Sequence, residues 1–458
     1  MNDIAADAAA PTLSRSLRPR HVSMITIGGI IGAGLFVSSS AAISAVGPAV
    51  IISYCITGSL VLLIMRMLGE MAVAMPNVRS FTEFARAGLG NWAGFSVGWL
   101  YWYFWVIVIP VEAMAGAKIV QMWIPLPAWE IGGALMLVMT LVNLMSARAF
   151  GEFEFWFSSI KVSAIIVFII TMASYAFGLW SPNGPTFSNL VAHGGFMPNG
   201  PLSVLAAVVT VFFSMMGAEV VTIAAAESEE PAKAVAKMTS SIVGRILLFY
   251  VGSILMIVSV IPWTIIKSGE SPFTAALNAI HVPLAGTIMS AIILTAVLSC
   301  LNSAFYVASR VLFVLAEKGD APRWLVKTNA RHVPARSVIL ASVAGFGGVL
   351  AAEFSYGTVF AFLVNASGAL IVFVYLSIAF SHVRLRHKRE REGIPASPLP
   401  MWFFPWLSYF AIAAMIGVLV AMGFSPELAS QLWISLISVA VALVAYFLFR
   451  HGKYGTPR

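Results

Sequence analysis

The chain has 458 residues, of which 60% are apolar and only 10% charged, a balance that excludes a soluble domain and marks a polytopic membrane protein. A net charge of +8 would suggest nucleic acid in a soluble protein, but here the Lys and Arg residues cluster between apolar runs. No nucleic-acid partner is therefore expected; the surrounding partner is the lipid bilayer.

A spanning helix takes about 20 apolar residues. Sectioning the chain at its charged and Pro/Gly-rich breaks yields about twelve spans, near 22–45, 49–74, 95–123, 130–147, 156–178, 203–226, 240–265, 284–315, 337–353, 357–381, 403–422 and 430–449. With the N-terminus placed inside, all of the 27 Lys and Arg residues except Lys118 and Lys267 fall on the cytoplasmic side. That bias predicts both termini in the cytoplasm and an even number of spans. The start of the chain lacks a small-residue cleavage site after a short apolar core, so no cleaved signal peptide is expected.

Residues 1–21 read as a cytoplasmic tail. The first span carries GGIIGAGLF, with Gly28, Gly29, Gly32 and Gly34 in its middle. Each glycine costs a helix interior about 1 kcal/mol relative to Ala, and main-chain groups freed at membrane depth are tolerated only inside protein or beside a polar cavity. A helix broken within 31–34 is expected, presenting bare N–H and C=O groups to a ligand. Gly47 and Pro48 turn the chain into the second span. After Pro76, RSFTEFARAGLGNWAG reads as an amphipathic helix along the inner surface, or a re-entry helix.

The third span is aromatic, GWLYWYFWVIVIPVEAMAG, and Trp99 to Trp105 read as an interface belt. Glu112 lies deep within it. The loop SARAFGEFEFWFSSIK places Glu152 and Glu154 in an inner loop without a cleft, and Lys161 at the inner boundary. In the sixth span an interruption at Met216 and Gly217 repeats the design of the first, with Glu219 immediately after it. An ionisable residue at that depth is a functional-site candidate, and two interrupted helices at corresponding places point to an inverted-repeat transporter. The short outer segment SGESPFTAALNAIHVP then answers the amphipathic segment of the first half.

The fold expected is an all-α membrane protein: a transport core over 22–381, built of inverted five-helix repeats near 22–178 and 203–381, each opening on a broken helix. A basic loop over 382–402, two further spans within 403–449 and a cytoplasmic tail over 450–458 complete it. Cys55 and Cys300 read as buried free thiols, with no disulfide or thiolate metal site. No enzyme constellation, metal spacing or Gly-rich phosphate loop competes, so no cofactor is expected.

IGGIIGAGLFVSSSAAI, RMLGEMAVAMP, GEFEFW, FFSMMGAEVVTIAAAESEEPAKAV, LSCLNSAFYVASR and LAEKGDAPRW together resemble the amino acid–polyamine–organocation superfamily, in its bacterial amino acid transporter branch. The resemblance implies the broken-helix inverted repeat and residue roles within it. The N–H groups of Ala33 and Gly34, beside Gly32, would hold a substrate carboxylate, and the Ile30 carbonyl an ammonium. Phe213 would lie over the substrate as a gate, with the carbonyls of Phe213 and Met216 beside Gly217 facing the amine. Lys161 would take the place of a sodium ion, or else act as a snorkelling anchor, and Glu219 is the second candidate proton carrier. Glu227 would belong to the inner mouth. Ser299, Asn302 and Ser303 would line the same cavity or else satisfy helix-to-helix hydrogen bonds.

The expected function is proton-coupled symport of a small zwitterionic amino acid, with γ-aminobutyrate (GABA) as first choice, at the bacterial cytoplasmic membrane. The alternatives are another amino acid such as proline or β-alanine, or a facilitator or sensor without proton-driven accumulation. Three carbons separate carboxyl from amine in GABA, so Glu112 is a candidate for the displaced ammonium, with an inter-helix hydrogen bond as its other reading. Oligomeric state is left open.

Overall fold

The computed structural model describes residue 24 and residues 30–76, 78, 80–145, 147–222, 248–351, 353–424 and 428–449. Among these the regular elements are helical. A π-helical turn, Gly34–Ser38, leads into α1 (Ser39–Val46), followed by α2 (Val50–Ala74), the short α3 (Phe81–Leu89), α4 (Asn91–Val120), α5 (Ala128–Asn143), α6 (Ala147–Ala176) and α7 (Gly200–Met215). The second half continues with α8 (Leu248–Val260), the short α9 (Pro272–Ala279), α10 (Ala285–Glu317), α11 (Ala335–Ala351) and α12 (Tyr356–Arg391). Two last helices, α13 (Trp406–Phe424) and α14 (Ala429–Phe449), complete it.

Among the described residues, eight stretches are long and apolar enough to cross a bilayer, accompanied by three shorter apolar helices. The first, Gly34–Ala74, turns at Gly47–Ala49 and so holds two spans. Gly47 has φ +76°, and a Cβ there would stand 2.6 Å from the Pro198 ring, so this turn requires glycine. About twelve spans result, in two inverted five-helix repeats with two helices appended.

The aromatic helix α4 runs through the middle, packed against α3, α5, α10, α11, α12 and α14. Pro110 sits inside it without ending it. The ring is accommodated at Gly348 of α11, where a Cβ would approach its Cγ to 2.6 Å. Burial of α4 corrects the interface-belt reading: Tyr101, Phe104 and Trp105 are fully buried, and only Trp99, Trp102 and Tyr103 retain exposure. An apolar period does not distinguish a ring facing lipid from one facing a neighbouring helix.

The two short helices occupy matching places, and a serine caps each: Ser80 Oγ accepts from the Thr82 N–H, and Ser271 Oγ from the Thr274 N–H. Instead of lying on the surface, α3 buries Phe81 and Phe84 among α4 and α12, which favours the re-entrant reading. A second correction concerns 382–402. The basic stretch is helical to Arg391, because no helix breaker occurs before Gly393 (φ +67°) and Arg386 pairs with Glu390 one turn on at 2.9 Å. Arg386 and His382 also meet Glu70 of α2, which binds this extension to the core.

Candidate functional site

The two helix interruptions expected from glycine content lie side by side at the centre of the fold. Gly28 and Gly29 lie outside the described residues, but the chain bends at Ile31 and Gly32 before re-entering a helix. Four of the main-chain groups described there meet a partner from a distant helix. The Ala33 N–H donates to both carboxylate oxygens of Glu112 of α4, at 3.2 and 3.1 Å. The Lys161 ammonium of α6 donates to the Ile31 carbonyl at 2.8 Å. The Tyr250 hydroxyl of α8 lies 2.9 Å from the Ile30 carbonyl, and Ser214 Oγ of α7 donates to the Gly34 carbonyl at 2.7 Å.

Glycine at 32 and 34 allows this approach. A Cβ on Gly32 would stand 2.6 Å from Cys300 Cβ and 2.8 Å from a Glu112 oxygen; one on Gly34 would stand 2.6 Å from the Ser214 Cα. The broken first helix therefore lies directly on the main chain of α7.

At the second interruption α7 ends at Met215, Met216 is extended (φ −67°, ψ 163°) and Gly217 takes φ +102°, a conformation that favours glycine. Glu219 folds back so that one oxygen accepts from the Gly217 N–H at 3.2 Å. Tyr101 of α4 and Tyr375 of α12 donate to its two oxygens at 3.0 and 2.7 Å. Phe213 is buried next to this break, and its carbonyl lies 3.3 Å from where a Cβ of Gly34 would stand. Tyr250 joins the two interruptions, since its hydroxyl is also 2.6 Å from the Ser214 carbonyl.

Behind the first break is a buried charge group. Lys161 interacts electrostatically with Glu154 and Glu112, and all three are at most 1% exposed. Glu154 is held by Ser299 of α10, whose Oγ lies 2.7 Å from both its oxygens. Next along α10, Asn302 accepts from the Asn143 side chain of α5 at 2.7 Å.

Three sequence expectations change. Glu154 is not in a loop: α6 begins at Ala147, so Glu154 and Lys161 stand two turns apart on one helix face. Glu112 faces a main-chain donor, and its carboxylate stands where the resemblance placed that of the substrate. Cys55 is exposed, whereas Cys300 is buried and hydrogen-bonds Glu112. Glu227 lies outside the described residues. Tyr101, Tyr250 and Tyr375 were missed altogether, since a tyrosine within an apolar run carries no local sign that its hydroxyl has a partner.

A sequence profile of the family described as "Amino acid permease" matches residues 21–453. The chain belongs to the amino acid permease family. This permease is 46% identical over 443 residues to the gamma-aminobutyric acid permease of Bacillus subtilis, covering 96% of this chain and 94% of the relative. It is 44% identical to the gamma-aminobutyric acid permease of Escherichia coli, over 90% and 89% of the two chains. It is also 38% identical to the aromatic amino acid transport protein AroP of Corynebacterium glutamicum, over 95% and 94%. A crystal structure of the Eremococcus coleocola manganese transporter superposes with a TM-score of 0.61 at 12% identity, covering 94% of this permease and 93% of that chain, a likeness of fold alone. The permease is thus an amino acid transporter embedded in a membrane by many spans.

Proposed function

We propose that this permease is a proton-coupled symporter importing GABA across the bacterial cytoplasmic membrane by alternating access, with both termini inside. The substrate choice is supported by the two GABA permeases to which the chain is similar over most of its length. Coupling is supported by one observation: two buried acids and one buried base, Glu112, Glu154 and Lys161, gather at the main chain of the broken first helix. With all three ionised, one negative charge is left over in a medium where an uncompensated charge costs several kcal/mol. A single added proton makes the group neutral.

The step follows from what occupies the Ala33 N–H. An ionised Glu112 competes with the substrate carboxylate for that donor. Protonation removes its charge, weakens its hold on the N–H roughly by the difference between a charged and a neutral acceptor, about 1–2 kcal/mol, and leaves the donor to the substrate. Proton and substrate carboxylate then enter together. At the other end of the substrate, the ammonium meets carbonyls of the two breaks, Ile30 and Ser214, in place of the Tyr250 hydroxyl, with Phe213 closing over it.

Proteoliposomes carrying an inward proton gradient test this reading. The wild type accumulates labelled GABA above its external concentration, and GABA outcompetes β-alanine and proline. Glu112→Gln keeps GABA exchange but loses accumulation. Mere equilibration by the wild type would make the protein a facilitator, and unchanged accumulation by Glu112→Gln would remove that residue from coupling.

A further inference from the structure

A cavity of about 820 Å³, whose lining includes no residue of either helix break, lies between the first half of α4, the turn 319–322 after α10, and α14. Its volume is within the range that holds small ligands, about 300–1,000 Å³. The walls are apolar: Phe95, Trp99 and Trp102 from α4 face Ile437, Val441 and Ala442 across the gap. Ala442 and Ala445, one turn apart on α14, leave the hollow, and Phe95 packs against Tyr446 beside it, the rings tilted by 57° with centroids 5.7 Å apart. The one acid in the lining, Asp320, is already paired with Arg86 of α3. It therefore does not repel an anion.

Both α4 and α14 are spanning helices, and the membrane-spanning window of α14 is only 17% buried in the protein. The cavity therefore borders hydrocarbon. The turn that forms its end is flanked by two exposed cations, Arg323 and Lys318, the latter reaching Glu83 of α3 at 3.5 Å while its side chain stays half exposed. Three more, Lys327, Arg331 and Arg336, follow in the next residues, and exposed Trp324 stands among them as a headgroup-level ring. An apolar slot inside the bilayer ending at a basic rim matches one amphiphile, an acyl chain carrying a negatively charged head.

We propose that this cleft is a binding site for one anionic glycerophospholipid, its acyl chain between α4 and α14 and its phosphate at Lys318 and Arg323. The site joins the appended helix α14 to the core helix α4. It stands apart from the substrate reading above and does not depend on it.

Delipidated full-length protein titrated with phosphatidylglycerol or phosphatidylethanolamine, and observed by native mass spectrometry, tests the proposal. One phosphatidylglycerol is expected to remain bound, on the order of tenfold more tightly than phosphatidylethanolamine, as two nearby cations allow. Ala445→Trp fills the slot and abolishes this binding. Lys318→Ala with Arg323→Ala alters exposed positions and removes one long surface ion pair, Lys318 to Glu83 at 3.5 Å, a loss of about 0–1 kcal/mol that keeps the fold; it should erase the preference for the anionic lipid. The proposal is overturned if retention survives Ala445→Trp, if the double variant still prefers phosphatidylglycerol, or if a second copy of the chain is retained in place of lipid. Loss of binding on deletion of 450–458 with the cations intact would also overturn it.

Discussion

The two broken helices solve the same problem in different ways. Each exposes main-chain donors and acceptors at membrane depth, where an unpartnered group costs several kcal/mol. The first is satisfied from outside, by side chains of α4, α6, α7 and α8, two of them ionisable. The second is satisfied largely by its own Glu219, which is steadied by two neutral tyrosines. Partners supplied from outside can be exchanged for a ligand without unravelling the helix that they cap. A residue that caps its own turn cannot leave without undoing the turn. Under the proposed function, this difference gives ligand exchange to the first break and shape-keeping to the second.

The hardest test of that division is Lys161→Ala. It strands the Ile31 carbonyl and leaves Glu112 and Glu154 without their cation, a loss of about 3–5 kcal/mol for a broken buried pair. Accumulation driven by a pH gradient should disappear in proteoliposomes, with weak exchange surviving. A variant that still concentrates substrate would reduce Lys161 to an anchor and shift coupling to Glu219.

Gly34→Val comes next. Its Cβ would meet the Ser214 Cα at 2.6 Å, a main-chain atom that no rotamer change removes. Overpacking of this kind costs about 1–3 kcal/mol, and uptake should be nearly abolished at normal membrane insertion. Gly32 offers a contrast, because its nearest obstacle is the Cys300 side chain. Gly32→Ala should recover part of its lost uptake when combined with Cys300→Gly, whereas Gly34→Ala should gain nothing from Ser214→Gly.

At the second break Tyr375→Phe removes a 2.7 Å hydrogen bond to Glu219. Leaving a buried acceptor unsatisfied costs about 1–3 kcal/mol, so detergent-solubilised protein should unfold at lower temperature while retaining gradient-driven accumulation. Accumulation lost with stability unchanged would exchange the roles given to the two breaks. The smallest effect expected is from Ser214→Ala, which frees the Gly34 carbonyl at a cost of about 1 kcal/mol and should raise the apparent KM a few-fold with little change in maximal rate.

Much of this was determined by the sequence alone. The spans follow from hydropathy, the two interruptions from glycine at 32, 34 and 217, and the choice of Glu112, Lys161 and Glu219 as candidates from the cost of placing charge in lipid, all of which are local properties. Only the tertiary structure decided which group meets which. Ala33 and Glu112 are 79 residues apart, and Ile30 and Tyr250 are 220 apart, so neither pairing leaves a trace in periodicity. The same limit concealed Glu154, whose alternation of acid and aromatic in GEFEFW resembles a loop until α6 turns one of the two acids inward. Hydropathy records how costly burying a group is; the packing of distant helices decides which partner offsets that cost.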